Sequence, residues 1–371
     1  MRLDWIELRD FRSYREASLR ISPGLTAVVG PNGEGKTNLL EALYYLVALE
    51  SPRVSSDLPL VRMAPGAIGG SAFLRGEAES GSGRFLIEVE IRADGANRVQ
   101  VNRSAVRRKR DLRRHLRAVF SGPDDLDVVQ GEPDHRRRFM DEVVHTMWPT
   151  KEGLASAYER ALRQRNRLLK DWPGTGEPAG LEGWDAELVT HGSALTAARR
   201  QAVEAIEARA EEEFRAISDR GQGALVVEYR PSVEADAADL THAFREALTA
   251  RRADELIRRS TLVGPHRDEL ALRVEGLVAR GFASHGEAWA AAVSLRLALA
   301  RAVAEETGEL PTVFLDDPFS ALDPVRRRRL AEGLHGRGQL LIAIPDEQQL
   351  PEGAAVWRVR DGSVLIGEGT T

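Results

Sequence analysis

Residues 30–37 read Gly30-Pro31-Asn32-Gly33-Glu34-Gly35-Lys36-Thr37. The spacing G-x-x-x-x-G-K-[ST] is that of a phosphate-binding loop. Its context fits as well: the apolar run "LTAVV" before it reads as a buried strand, and "NLLEALYYLVAL" after it has helical apolar spacing. Glycines let backbone N–H groups curl around a phosphate, and the following helix points its positive end at the same place. Lys36 then supplies a point charge for the outer phosphates, and the Thr37 hydroxyl can ligate Mg²⁺. Asn38, in the first turn of the helix, is grouped with the loop as nucleotide-binding.

Such a loop needs a carboxylate for the cation and a group to orient an attacking water. Far downstream, "PTVFLDDPFSALD" offers both. An apolar strand ends at Asp316, assigned to Mg²⁺, and Asp317 is assigned to the water. Lys36, Asp316 and Asp317 are therefore the candidate catalytic residues. Between the two motifs, from about residue 105 to 258, the chain reads as mostly helical. A long helix over about 183–218 and a partner over about 150–171, separated by "DWPGTGEPAG", suggest a short antiparallel arm. Strands are expected over 72–78, 84–92 and 98–101, and "AVWRVRDGSVLIG" reads as a hairpin turned at Asp361-Gly362.

"GFASHGEAWAAAVSLRLALARAV" (281–303) has two readings from its residues alone. Ser284 and Glu287 form an ordinary capping box, or Ser284 and Gly286 donate to an anion at the helix start. The order of motifs decides between them. A phosphate loop, a long insertion, Ser-x-Gly-Glu, a strand ending in Asp-Asp, then Ala-Leu-Asp resembles the ABC-type ATPases. In that superfamily two heads close around two ATP molecules, and the serine–glycine segment reaches the γ-phosphate held by the other subunit.

The resemblance narrows over nearly the whole chain. "LRDFRSYREASLRISPGLTAVVGPNGEGKTNLLEALYYL", with its Phe11-Arg12 pair, is similar to the opening of the RecF family of bacterial recombination mediators, which are related to SMC ATPases. "PDDLDVVQGEPDHRRRFMDE", "TLVGPHRDEL" and "LDDPFSALD" resemble three further segments of that family. The resemblance implies an α/β fold: an ABC-type ATPase head with a P-loop core and an inserted, mostly helical lobe. The division expected is 1–112 and 259–371 for the head and 113–258 for the lobe. It further implies ATP and Mg²⁺ as cofactors, with Arg12, Ser284, Gly286 and Glu287 joining residues 30–38 at the nucleotide, and an ATP-dependent homodimer. The implied partners are double-stranded DNA, single/double-strand junctions, RecO and RecR, and indirectly RecA. Several features depart from the pattern: the phenylalanine of "FSGPDDL" is displaced from the usual Phe-x-Pro, and the bulky Trp289 follows the Ser-x-Gly segment. Glu287 stands where glutamine is common, Gln130 lies within "VVQGEP" and is no clear γ-phosphate sensor, and no histidine follows "LLIAI". Slow hydrolysis is the expectation.

The formal net charge of −5 means that a DNA site must be a local patch. Arg107, Arg108, Lys109, Arg110, Arg113 and Arg114 form the steepest one. They read as contacts to DNA phosphates, with a solvated helix face as the alternative. Arg326–Arg329 reads as a solvated helix face, and His266-Arg267-Asp268 as a turn network or a site. There are no cysteines, which removes disulfides and cysteine-ligated zinc. The histidines lack metal-ligand spacing. No long apolar run or signal core is present, so a cytoplasmic protein is expected. A scaffolding SMC-like ATPase with little DNA affinity, and a transporter ATPase subunit, are the other functional classes considered.

Overall fold

Alternating apolar residues at the start of the chain build the edge of a sheet. The computed structural model describes residues 1–62, 70–176, 178–218 and 224–366. Strands β1 (Arg2–Phe11) and β2 (Tyr14–Arg20) pair antiparallel, with Leu3, Ile6 and Leu8 turned inward. β4 (Ser71–Ser80), β5 (Gly83–Arg92), β6 (Arg98–Val101) and β7 (Ser104–Ala105) complete a six-stranded sheet in the order β2-β1-β4-β5-β6-β7.

The second sheet carries the phosphate loop. β3 (Leu25–Val29) lies between β13 (Leu340–Ile344) and β14 (Ala355–Arg360) and is parallel to both. β12 (Thr312–Asp316) and β8 (Ala118–Ser121) extend one side, and β15 (Ser363–Ile366) closes the other. Both faces are covered, which is why these strands read as unbroken apolar runs. Val28 faces helix α1 (Lys36–Ala48) and the first sheet, while Ala27 and Val29 face the opposite core. That opposite core is dominated by helix α9 (His285–Thr307), whose alanine-rich middle is buried all round. The terminal hairpin turns at Asp361 and Gly362, both at positive φ (50° and 66°), the signature of a type I′ turn. Gly367, included in the hairpin reading, lies outside the described residues.

The insertion differs from the sequence expectation in a specific way. Short helices α2 (Lys109–Arg113) and α3 (Leu126–Gln130) flank β8, and α4 (Pro133–Met147) follows. β8 is parallel to β12 and belongs to the nucleotide sheet, so strand structure continues past residue 113. Likewise β9 (Leu225–Arg230) pairs with β10 (Glu269–Val274) across the expected boundary at 258, and β11 (Leu277–Val278) completes that small sheet, followed by the one-turn helix α8 (Ala279–Phe282). Sequence boundaries placed where helical periodicity begins and ends miss strands that pair at long range.

Helices α5 (Leu154–Asp171) and α6 (Leu181–Ile217) form the antiparallel pair: Lys151 donates to Gln201 near one end, and Arg165 meets Asp185 near the other. The pair is not a bare arm. α7 (Leu240–Arg258) packs on it through Leu240, Phe244 and Leu248, against Tyr158 and Leu188. Arg165, fully buried, donates to Asp185 (2.7 Å), Thr261 (2.7 Å) and the equally buried Glu255 (2.5 Å). Asp268 is a second hub, accepting from Tyr229, Arg199 and the Ser232 N–H. His266, lowered by burial to about 4, is neutral and hydrogen-bonds Tyr158. The His266-Arg267-Asp268 segment is thus a network that fastens the lobe.

Truncating one member of a buried ion pair strands the other charge. Arg165→Ala should therefore cost about 3–5 kcal/mol of stability. Chemical unfolding followed by circular dichroism checks this; an unchanged midpoint would mean that the hub does not hold the lobe.

Candidate nucleotide-binding site

β3 delivers the chain to Gly30 at the edge of the nucleotide sheet. A side chain at Gly30 would run into the backbone carbonyl of Val359 on β14. Gly35, at φ 110°, takes the left-handed conformation that starts α1, and a Cβ there would lie 2.8 Å from Ser13 Oγ. The Tyr14 hydroxyl donates to the Gly35 carbonyl (3.0 Å) and holds this bend. Lys36 folds back over the loop, donating to the carbonyls of Gly30 (2.6 Å) and Pro31 (2.9 Å) and reaching Asn32 Oδ1 at 3.5 Å. Glu34 accepts from the Asp361 N–H (2.5 Å), tying the loop to the terminal hairpin.

Thr37 and Asp316, 279 residues apart, meet here: the Thr37 hydroxyl lies 3.0 and 2.8 Å from the two carboxylate oxygens. Burial raises the Asp316 carboxyl above its ordinary value, against the Thr37 hydrogen bond, which lowers it. Asp317 follows with φ 52°, and one of its buried oxygens has no hydrogen-bond partner among the described residues. Burial raises it too, against the opposing charges of Lys36 and Arg327. Lys36 is lowered by burial, against the attraction of both aspartates. The three groups are desolvated together and lie close enough to feel one another's charge.

Arg12 takes φ 51° and grips the fully buried Glu41 of α1 with two hydrogen bonds of 2.8 Å. Ser51 and Arg53 bind the same carboxylate, and Arg53 also reaches Asn38. The Asn38 amide donates to Ser13 Oγ. Arg12 is therefore held at the rim by Glu41, a partner the sequence did not reveal because a glutamate on a helix usually faces water. A cavity of about 500 Å³ opens beside Thr37 and Asp316, lined also by Arg12, Arg53, Gly122 and Arg296.

Arg296 of α9 was also missed. Fully buried, it donates to Asp125 (2.5 Å) and to Glu142 of α4, its plane over Phe139. Trp289 of the same helix donates to the Pro318 carbonyl (2.8 Å), just past Asp317. α9 is thereby tied to the cavity wall and to the acidic strand end. At its start Ser284 makes the capping box with Glu287 (2.8 and 3.3 Å) and is exposed. Gly286 lies against Ala321 and Arg326. These three signature residues are not among those lining the cavity at Thr37.

The basic patch divides. Arg107, Arg108, Lys109 and Arg114 are exposed and Arg110 is half-buried. Arg113 is a correction: it is buried, donating to the Ala48 carbonyl at the end of α1 and pairing with Glu50 and Glu152. Charge density along a sequence does not reveal which member of a run turns inward. Glu50 would be raised by burial, but His145 and Arg113 hold it well below the carboxylate range. Among the described residues no cluster of three or more His, Asp or Glu has the form of a metal site, and no helix is long and apolar enough to cross a membrane.

A phosphate loop on a central parallel strand, an aspartate at the end of the adjacent β12–β13 pair and an inserted helical lobe define an ATPase head of the ABC/SMC type. The fold matches the SMC head domain of Pyrococcus furiosus with a TM-score of 0.55 at 17% identity, covering 98% of this chain and 95% of that one. A family model described as the RecF/RecN/SMC N-terminal domain matches residues 2–363. The chain belongs to the RecF family of DNA replication and repair proteins. It is 40% identical to the RecF of Cutibacterium acnes over 395 residues, spanning 100% of this chain and 99% of that protein. A structure of the recombination mediator RecF with ATP, from the RecFOR pathway, superposes with a TM-score of 0.86 at 26% identity over 99% of this chain and 97% of the other.

Asp316 provides a test that needs no ligand. Its folded-state pKa lies above the unfolded value, so its contribution to stability is fully present below about pH 3.8 and is lost as pH rises through the folded pKa. At neutral pH the ionised carboxylate destabilises the nucleotide-free fold. Asp316→Asn, which keeps an acceptor for Thr37, should raise the melting temperature at pH 7, with the gain shrinking towards pH 4. A lower melting temperature at pH 7 would contradict this electrostatic reading.

Proposed function

We propose that this chain is an ATP-dependent DNA-binding protein of recombinational repair, in which ATP closes two heads around double-stranded DNA. The observation that carries the reading is the contact between Thr37 and Asp316, made by the two motifs that an ATPase head needs at one point. The residues fit Mg²⁺: a hydroxyl and a carboxylate, both hard oxygen donors, already adjoin, and a nucleotide site asks no more of the protein because phosphates and water complete the coordination. Thr37 and Asp316 would hold the cation, which would neutralise charge on the phosphate oxygens.

Residues 30–38 bind the triphosphate. Lys36 exchanges its bonds to Gly30 and Pro31 for bonds to phosphate, so binding opens the hollow that the lysine now covers. Asp317 orients the attacking water. Its positive φ and its unpartnered buried oxygen support that role, since strained and unsatisfied groups collect at functional sites. Ser284, exposed, and Gly286, half-buried, at the start of α9 complete the site of the opposing subunit. Hydrolysis is slow and reopens the pair.

Arg107, Arg108, Lys109, Arg110 and Arg114 contact DNA phosphates; Arg113 acts through the fold. Loading of RecA with RecO and RecR, at single/double-strand junctions, follows from family membership. The head and lobe as units of 1–112 with 259–371 and 113–258 remain part of this proposal, with β8 and β9 joining them.

Lys36→Ala should lose ATP binding and, with it, ATP-dependent DNA binding, whereas Ser284→Arg should bind ATP and stay monomeric. Isothermal titration and light scattering separate the two; ATP-dependent dimers of Ser284→Arg would contradict the shared site. Replacing Arg107, Arg108 and Arg110 with alanine should lower the salt slope of duplex binding by about 2–3. An unchanged slope in a fluorescence titration over salt concentration would move the DNA surface elsewhere.

A further inference from the structure

The start of α9 abuts a cation on the next helix whose Nε has no hydrogen-bond partner among the described residues. Arg326 lies in the first turn of helix α10 (Pro324–Gly333), in the arginine run that reads from sequence as a solvated face. Its side chain is only 20% exposed. A Cβ on Gly286 would lie 3.2 Å from Arg326 Nη1 and 3.2 Å from the Ala321 carbonyl oxygen, so glycine at 286 is what lets the guanidinium lie against the signature segment.

Its Nε is buried without a hydrogen-bond partner among the described residues. Its one acid neighbour, Asp323, is 3.6 Å away, and that carboxylate already accepts from the N–H groups of Val325 (2.9 Å) and Arg326 (3.0 Å). Arg296, on α9 itself, also leaves its Nε unpartnered, but its two terminal nitrogens are spent on Asp125 and Glu142. A guanidinium is always charged and carries five donors. Leaving it unsatisfied beside the positive end of a helix is doubly unfavourable, unless an anion completes the arrangement.

We propose that Arg326 is a phosphate-binding residue supplied in trans: it donates to the γ-phosphate that the partner's loop presents to Ser284 and Gly286. The inference rests on the shared-site reading above and adds to it a charged side chain. The planar fork suits two terminal phosphate oxygens at once, and the charge is delivered only when the heads close. That coupling makes closure depend on the nucleotide being a triphosphate, in a chain where no clear glutamine or histidine sensor was found.

The experiment compares Arg326→Ala and Arg326→Lys with the unaltered full chain. ATP affinity of the monomer is read by titration, ATP-dependent dimerisation by sedimentation velocity, and the unfolding midpoint by denaturant. Arg326→Ala should keep ATP affinity within about twofold, because its target lies in the other subunit, and weaken dimerisation by about ten- to a hundredfold. Arg326→Lys, with the charge but not the fork, should fall between. The midpoint should change little, since the ion pair removed, to Asp323, is long and its carboxylate half exposed. Wild-type dimerisation by Arg326→Ala overturns the proposal. So does a joint fall in midpoint and ATP affinity, which assigns the arginine a structural role. Failure of the unaltered chain to dimerise with ATP would instead sink the shared site itself.

Discussion

Everything in this molecule waits on the pairing of β3 with β13 and β14. The strand that carries the phosphate loop is flanked on both sides by strands from the end of the chain. Gly30 hydrogen-bonds Ile344 and presses on Val359, so the loop has its shape only once those strands are home. The same closure brings Asp316 to Thr37. The helical lobe is what the chain does between leaving the sheet and returning to it. Loop-closure entropy grows only slowly with length, so an insertion of this size is tolerable if it has a core of its own. The buried Arg165–Glu255 pair and the Asp268 hub fasten that core.

Electrostatics explains why the site stands ready rather than collapsed. Lys36, Asp316 and Asp317 are all withdrawn from water, and burial outweighs the groups that favour their charges: the two aspartates for Lys36, Thr37 and Arg53 for Asp316, and Lys36 and Arg327 for Asp317. Ligands that bring phosphate and a cation together can replace those interactions without leaving a charge unpaired. A conformational response follows only if the closed state makes contacts the open one lacks. α9 lies against both the cavity wall and the acidic strand end. Its start carries Ser284 and Gly286, Trp289 bonds the turn after Asp317, and Arg296 reaches the cavity wall.

Much of the nucleotide sheet was legible in the sequence because its signals are local. A glycine-rich loop between an apolar strand and a helix, an apolar strand ending in two acids, and two turn residues at positive φ are written in neighbouring residues. The helices of the insertion announced themselves by periodicity. What stayed hidden was decided at a distance. β8 and β9 are short, and only their partners β12 and β10 make them strands. Arg113 sits in a run of arginines, yet Glu50 and Glu152 draw it inward. Arg12 has its fork on Glu41 of the loop's own helix, where the family resemblance placed it with the nucleotide. Arg326 looked like one more charge on a wet helix, yet its side chain is only 20% exposed and lies against Gly286 of the signature. The sequence shows which residues carry charge; the packing decides which of them face a partner.

The central claim is that no single chain holds a complete catalytic centre. The most direct measurement is the rate of ATP hydrolysis per chain, at saturating ATP, magnesium and duplex DNA, as the protein is diluted. A shared centre requires the specific rate to fall with dilution, along the same curve as the fraction of dimer. A specific rate that stays constant down to concentrations where only monomer sediments would contradict it.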